Sequence, residues 1–107
     1  MIRLTVLYNL PPGADEVEFL RWRLGEHQDS NASIPGVIRT DFARIDAAWP
    51  AGTQPGHRFM TTADWPDRES FEEGFYDPQV QAKLTEDVKR ITDSVFYVSE
   101  VLAESRN

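Results

Sequence analysis

Apolar and polar residues alternate at the start of the chain. From Ile2 to Tyr8 every second side chain is apolar, and the residues between them are mostly polar. A period of two is the pattern of a strand with one buried face. The sequence LPPG then interrupts it. Three later segments also predict strands, namely VIRTDFARID (37–46), RFMTTADW (58–65) and SVFYVSEVL (94–102).

A helical period follows the first strand. Asp15 is a suitable N-cap, and Glu18, three residues later, is placed to complete a capping box. The stripe on one side of this helix is Val17, Leu20, Leu24, His27 or Gln28, and Asn31. We expect the stripe to face the sheet, and Phe19 and Trp22, which lie off it, to meet another helix or another subunit. The helix ends at IPGV (34–37), because proline disfavours helical geometry in the residue before it.

A second helical region is predicted in two pieces. Residues 65–67 (WPD) start a short helix that carries Phe71 and Phe75. Asp77 and Pro78 start another, with the aspartate as N-cap and the proline at the first helical position. The stripe of this second piece is Val80, Leu84, Val88 and Ile91.

The resulting order is β-α-β-β-α-β in a single domain, residues 1–107. This is the ferredoxin-like, split βαβ arrangement of the α+β class, in which four antiparallel strands form one sheet and both helices pack on one face. The other face has no cover within the chain. A second copy packed sheet against sheet would cover it and form a dimeric α+β barrel, so we expect a homodimer. Loop 47–56, rich in proline and glycine, is long enough to act as a lid or an interface arm.

Composition narrows the chemistry. The chain has 18 acidic and 11 basic side chains and a net charge of -7, so nucleic acid and anionic membranes would be repelled. The absence of cysteine excludes a disulfide, a thiolate nucleophile and the usual structural zinc sites. There is no P-loop, GxGxxG or zincin spacing, so we expect no metal and no cofactor. No segment has the pattern of a signal peptide or a membrane span, which predicts a cytoplasmic protein.

His27 is the main candidate for catalysis. Imidazole shuttles protons in neutral water, and the spacing of His27 from Leu20 and Leu24 directs it at the sheet. Asn31, one turn further on, and Tyr8, from the first strand, would add an amide and a phenol. Such a trio suits proton transfer next to a carbonyl or enol. The alternative is that His27 only donates to a helix carbonyl near the C-terminus of the helix.

Arg39 and Asp41 are further candidates on the second strand. Alternation places them on one face, and the pattern does not decide whether that face meets the helices. The interpretations are a cross-strand or inter-subunit ion pair, a substrate clamp, or an Asp41 carboxylate that orients His27. Trp65 and the other aromatic residues would line a pocket for a flat, apolar small molecule. His57, at a loop edge, is expected to be exposed and not catalytic.

Several segments together resemble a known family. They are LYNLPPGADEVEF, the histidine at the end of the first helix, IPGV, and the helix DPQVQAKLTEDV before the last strand. In this order they resemble the EthD-like branch of the dimeric α+β barrel superfamily. The run GEHQDSNASIPGVIRTDFARI resembles in particular the RedY- or HapK-like proteins of prodiginine-type pathways.

The resemblance implies a homodimer formed by sheet packing, with a pocket between the sheet and the helices of each subunit. Many relatives act on polyketide, aromatic or heteroaromatic intermediates without a cofactor, as cyclases, isomerases, lyases or monooxygenases. The resemblance also implies that His27 and Asn31 lie at the pocket end of the first helix, where leucine would fill the space of a substrate.

The leading hypothesis is a cofactor-independent enzyme of secondary metabolism. It would act on a small aromatic or pyrrole- or indole-like intermediate by proton transfer, as a cyclase or isomerase. The predicted roles are general acid/base for His27, carbonyl or imine binding for Asn31 and Tyr8, and pocket shaping for Arg39, Asp41 and Trp65. Two alternatives stay open. One is a non-catalytic protein that shields a reactive intermediate or delivers it to a neighbouring biosynthetic enzyme, and the other is a cofactorless monooxygenase.

Overall fold

The alternating residues at the start of the chain form a strand with one buried face. A computed structural model describes all 107 residues, Met1 to Asn107. Every even-numbered side chain from Ile2 to Tyr8 is buried, and the side chains between them are only partly buried. The strands are β1 (Ile2–Asn9), β2 (Arg39–Arg44), β3 (Phe59–Trp65) and β4 (Thr92–Glu100).

The four strands form one antiparallel sheet in the order β2-β3-β1-β4. The helices connect β1 to β2 and β3 to β4. The even-numbered side chains of β1 pack with helix residues into one hydrophobic core. The predicted ferredoxin-like α+β fold with the order β-α-β-β-α-β is therefore confirmed.

Aspartate caps fix the starts of the helices at the predicted positions. Asp15 and Asp77 each accept hydrogen bonds from two backbone N–H groups of the first turn, and Asp67 forms a capping box with Ser70. The break between α3 and α4 falls at Asp77, as predicted. The helices are α1 (Glu16–Trp22), α2 (Gln28–Ala32), α3 (Arg68–Phe75) and α4 (Pro78–Asp87), which a 3₁₀ turn (Val88–Arg90) follows.

The first helical segment is α-helical only at its two ends. Arg23–His27 form a π-helical turn between α1 and α2. Hydrogen bonds of a π-turn span five residues and not four, so the side chains after it are rotated around the axis relative to an unbroken α-helix. Such turns occur frequently at functional sites.

The inward face of this segment differs from the predicted stripe. Val17 and Leu24 are 67% and 62% exposed, whereas Phe19 and Arg23 are 8% and 1% exposed. Phe19, expected to lie off the stripe, packs in the core with its ring centroid 5.3 Å from that of Phe59. A large ring buries more apolar surface than valine, and the π-turn shifts the register after it. The prediction that Val17 and Leu24 face the sheet is wrong.

The opposite face of the sheet has no helix over it. Its side chains are the odd-numbered residues of β1 and their neighbours in register, among them Asp64 opposite Arg3 and Tyr97 opposite Thr5. Tyr97 is 58% exposed in the single chain. This face contains both apolar and charged side chains.

Candidate functional site

A cavity of about 440 Å³ lies between the sheet and the helices. This volume is within the range of small-molecule pockets in proteins. Residues of all four strands line it, together with residues of the first helical segment and α4. Most of its apolar lining is provided by Leu4, Val6, Phe19, Trp22, Ile34, Ala63, Trp65, Phe75, Val80, Leu84, Ile91 and Phe96.

His27 lines the cavity at the end of the π-turn. Its side chain is 14% exposed, and its Nδ1 lies 3.2 Å from Oδ2 of Asp87 on α4. The ring stacks on Trp22 with a centroid separation of 4.3 Å. Nδ1 is enclosed but has no hydrogen-bond partner. The Asp87 oxygen is close enough for an ion pair, but its angle to Nδ1 is not that of a hydrogen bond. Nδ1 lies beside Asp87, and Nε2, which is not enclosed and makes no hydrogen bond within the protein, is the nitrogen available to a ligand.

The surroundings of His27 favour its neutral form. Burial and then the positive charges of Arg23, Lys83 and Arg90 lower its pKa from 6.5 to about 4. Burial also raises the pKa of Asp87, against the opposing effect of nearby cations. At neutral pH the imidazole is therefore uncharged and has a carboxyl group beside Nδ1. A neutral imidazole in a cavity wall can act as a proton acceptor.

A second polar group of the cavity is formed by Tyr8, Thr61 and Arg23. The Arg23 guanidinium donates to Oγ1 of Thr61 at 3.0 Å, and the same hydroxyl lies 3.4 Å from the Tyr8 hydroxyl. Arg23 also donates to Oε1 of Gln28 at 2.6 Å. The sequence predicted Tyr8 for the site but missed Arg23. A signal was present, because Arg23 lies four residues after Phe19 and four before His27.

Asn31 also lines the cavity, one turn beyond His27. It is the next-to-last residue of α2, and its side-chain amide makes no hydrogen bond within the protein. The amide is therefore free to bind a ligand. The structure brings together three of the predicted polar residues, His27, Asn31 and Tyr8, around one cavity.

Trp65 forms part of the cavity wall but belongs equally to the core. It is 0% exposed, and its Nε1 donates to the carbonyl oxygen of Pro35 at 3.0 Å. Its ring packs edge-on against Phe71 with a centroid separation of 5.0 Å. Because its only polar atom is already bonded, Trp65 provides shape and not a hydrogen bond.

Arg39 and Asp41 lie outside the cavity, contrary to the pocket-shaping role predicted for them. Register places Arg39 opposite Asp64 and Asp41 opposite Thr62, whereas Thr40, between them, lines the cavity. Successive side chains of a strand point to opposite faces, so both residues belong to the face without helices. The cross-strand ion pair is the interpretation that the geometry supports, and Asp87, not Asp41, lies beside His27.

Asp64 is the centre of this ion-pair network. Its carboxylate, 2% exposed, accepts from Nε of Arg3 at 2.8 Å and from Nε of Arg39 at 2.9 Å. Burial favours the neutral acid, but the hydrogen bonds from the two arginines outweigh it and lower the pKa of Asp64. Arg39 also pairs with Asp41, which accepts from Oγ1 of Thr62 at 2.6 Å. The network ties β1, β3 and β2 together on their outer face.

Loop 47–56 does not contribute to the cavity. None of its residues lines the cavity, and Trp49 within it is 90% exposed. In this structure the loop therefore does not close over the site.

His57, which follows loop 47–56, is also outside the cavity, with Nε2 at 3.1 Å from the carbonyl oxygen of Asp93. No three His, Asp or Glu side chains are grouped as a metal site would require. No helix is long and apolar enough to cross a membrane.

Fold and cavity together define a ferredoxin-like α+β protein with a pocket on the helical side of its sheet. No protein-family model matches the chain, and no curated protein does. Solved structures do match. An EthD (ethyl tert-butyl ether D) family protein from Bacillus halodurans C-125 superimposes with a TM-score of 0.78 at 19% identity, over 95% of this chain and 99% of that one.

Two further similar structures have more specific names. HapK from Hahella chejuensis has a TM-score of 0.72 at 18% identity, over 100% of this chain and 98% of its own. SnoaB from Streptomyces nogalater, a cofactor-independent oxygenase, has a TM-score of 0.69 at 14% identity, over 96% of this chain and 94% of its own. The predicted resemblance to EthD-like and HapK-like proteins is confirmed as a shared fold, one also used by an enzyme that needs no cofactor.

Proposed function

We propose that the protein is a cofactor-independent enzyme of natural-product metabolism, in which His27 transfers a proton on a small aromatic or heteroaromatic intermediate. The observation that carries the proposal is the neutral, half-buried imidazole of His27 in the cavity wall, 3.2 Å from the Asp87 carboxylate. The cavity's size and aromatic lining suit a flat molecule of two or three fused rings. The resulting reaction would be an isomerisation or a cyclisation.

In the proposed step, Nε2 of His27 accepts a proton from a carbon next to a ligand carbonyl. The electron pair of the broken C–H bond moves to the carbonyl oxygen and forms an enolate. The Asp87 carboxylate, 3.2 Å from Nδ1, stabilises the imidazolium by charge attraction. The amide of Asn31 or the phenol of Tyr8 donates to the enolate oxygen. Return of the proton to another atom completes an isomerisation. For a cyclisation, the enolate carbon attacks a second carbonyl carbon of the same molecule, the π electrons of that carbonyl move to its oxygen, and this oxygen takes the proton from Nε2 of His27.

A base with a pKa of about 4 is always unprotonated at neutral pH but binds protons weakly. It suits a carbon acid that is already activated, such as a position between a carbonyl and an aromatic ring. The positive charge of Arg23 accounts for part of the lowering of the His27 pKa. A negative charge that develops in the cavity would oppose that effect and strengthen the base as the reaction proceeds.

The proposal is tested with an enolisable bicyclic ketone, 2-tetralone, in deuterated water. Proton NMR follows the loss of its benzylic C–H signals with the wild-type protein and with His27→Gln. We expect the wild type to accelerate exchange and the variant to lose about 10²- to 10⁴-fold of that rate. His57→Gln is the matched control, since it removes the other histidine, which lies outside the cavity. Equal rates for wild type and His27→Gln would contradict the proposal.

The alternatives give other outcomes in the same experiments. A shielding protein would bind the ketone and leave the exchange rate at its buffer value for wild type and variant alike. The fold shared with SnoaB, a cofactor-independent oxygenase, makes oxygen use the second candidate activity. Oxygen consumption, measured with an electron-rich phenol such as 1,8-dihydroxynaphthalene, would identify it.

We also propose that the protein is a homodimer in which the sheet faces without helices pack against each other. That face contains Tyr97, 58% exposed in the single chain, and Asp64, which is buried among arginines even without a partner. Tyr97→Glu would introduce a charge into the proposed interface. Analytical ultracentrifugation is expected to give a dimer for the wild type and a monomer for the variant, and a monomeric wild type would contradict this arrangement.

A further inference from the structure

Arg23 is a buried cation in the cavity wall. It is 1% exposed, and it forms no ion pair with any carboxylate. Its two hydrogen bonds go to neutral oxygens, Oε1 of Gln28 at 2.6 Å and Oγ1 of Thr61 at 3.0 Å. The Tyr8 hydroxyl is a third neutral neighbour, since burial lowers the pKa of Arg23 and the hydrogen bond with Tyr8 opposes that effect. Since the guanidinium has five N–H donors, at least two remain without a partner.

A buried cation without a counter-ion is costly. Removing a charge from water costs several kcal/mol, and neutral hydrogen bonds recover only part of that. The π face of Phe42 offsets a further part, since the guanidinium carbon lies 4.2 Å from the ring centroid. Asp41 attracts the charge from the other face of the sheet but is not in contact with it. A neutral side chain of similar length would avoid the cost, so the charge itself calls for an explanation.

The surrounding residues are arranged for an anion. Arg23, Thr61 and Tyr8 line the cavity together, with the Thr61 hydroxyl between the other two groups. A planar guanidinium that has free donors recognises a planar carboxylate well. Apolar rings, among them Phe19 and Trp22, line the rest of the cavity.

We infer that Arg23 binds a carboxylate of the ligand, so that the cavity takes an aromatic acid. The inference rests on the proposed function in that both place one ligand in this cavity, with His27 and Arg23 both among its lining residues. It adds the ligand's chemical class and its orientation. The carboxylate lies at Arg23, and the ring system lies among the apolar side chains and extends toward His27.

The test compares two probes of the same shape, 2-naphthoate and its neutral analogue 2-naphthamide, by isothermal titration calorimetry. We expect the wild-type protein to bind the acid about 10-fold or more tightly than the amide, as one charge-assisted hydrogen bond in a buried site provides. Arg23→Gln should abolish that preference, and Arg23→Lys, which keeps the charge but loses the planar fork, should retain part of it.

Lys83→Gln is the matched control. Lys83 is the other cation in the cavity lining, but its side chain is 47% exposed and lies 3.8 Å from Asp87. We expect this variant to keep the wild-type preference for the acid. If Arg23→Gln does not fold, Lys83→Gln still decides, because loss of the preference there would assign the anion to Lys83 and overturn the inference.

Other results would also overturn it. One is that the wild type binds 2-naphthoate no more tightly than 2-naphthamide, or does not bind it at millimolar concentration. Another is that Arg23→Gln keeps the preference for the acid. The outcome is separable from the proposed enzymatic function, because the measurement needs no turnover. His27→Ala should keep the preference for the acid. A kept preference without proton exchange on 2-tetralone would leave the anion site standing and remove the enzymatic role of His27.

Discussion

The protonation of His27 makes a prediction about the stability of the whole fold. The folded protein lowers the pKa of His27 from 6.5 to about 4, mainly by burial. Between these two values the unfolded chain binds more protons at this site than the folded chain does. Stability therefore rises with pH across the window and is lost as pH falls from 6.5 towards 4.

The size of the effect follows from the same shift. The complete loss, reached below pH 4, is about 3 kcal/mol, because each pKa unit corresponds to about 1.4 kcal/mol. At pH 7 nearly all of the stabilisation is present. At pH 5 the unfolded imidazole is mostly protonated and the folded one mostly is not, so about 2 kcal/mol has been lost. The side chain is only 14% exposed, so solvent screens the effect little.

The assay is unfolding by urea at pH 7 and pH 5, at fixed protein concentration, for the wild type and His27→Gln. Glutamine cannot titrate, so the variant lacks this contribution. From pH 7 to pH 5 the wild type should therefore lose about 2 kcal/mol of unfolding free energy relative to His27→Gln. His57→Gln keeps His27 and so keeps its contribution. An unchanged difference would refute the burial of a neutral imidazole at this position.

Two other substitutions test the packing of α3 and the ion-pair network on the outer face of the sheet. Gly74→Ala should destabilise the protein by about 2 kcal/mol or more in urea unfolding, because a Cβ there would lie 2.1 Å from the carbonyl oxygen of Pro35. Gly25→Ala is its control, since nothing lies within 4 Å of a Cβ at that position, and a similar loss there would contradict the steric explanation. Asp64→Asn should cost about 2–3 kcal/mol, because it leaves two arginines without their shared carboxylate. Asp41→Asn, at a site 53% exposed, should cost less than about 1 kcal/mol, and equal losses would show that burial is not the cause.

Local features of the sequence determined where the strands and helices lie. The alternation from Ile2 to Tyr8 requires only neighbouring residues, and it correctly identified the buried face of β1. The helix starts at Asp15, Asp67 and Asp77 were equally predictable, because an N-cap carboxylate bonds to the backbone of the next turn. Element order then restricted the topology to a ferredoxin-like sheet.

The tertiary structure decided which side chains share the cavity. Regular helical spacing placed Val17 and Leu24 inward, but the core selected the larger ring of Phe19, and the π-turn shifted the register of the residues after it. Arg23, four residues after Phe19, shares its inward face and lies in the cavity wall, which the charge of Arg23 argued against. A π-turn leaves no composition signal of its own, so the sequence pattern did not reveal it.

Contacts between distant segments were also beyond the sequence. Asp87 lies 60 residues after His27 in the chain, and only the packing of α4 against the first helical segment brings the two together. Likewise, the sequence placed Arg39 and Asp41 on one face of β2, but the register with β3 decided which face that was. The sequence thus determined the elements and the candidate base, because both depend on local spacing. The partner of that base, the buried cation and the outer ion network depend on long-range packing, which only the folded chain defines.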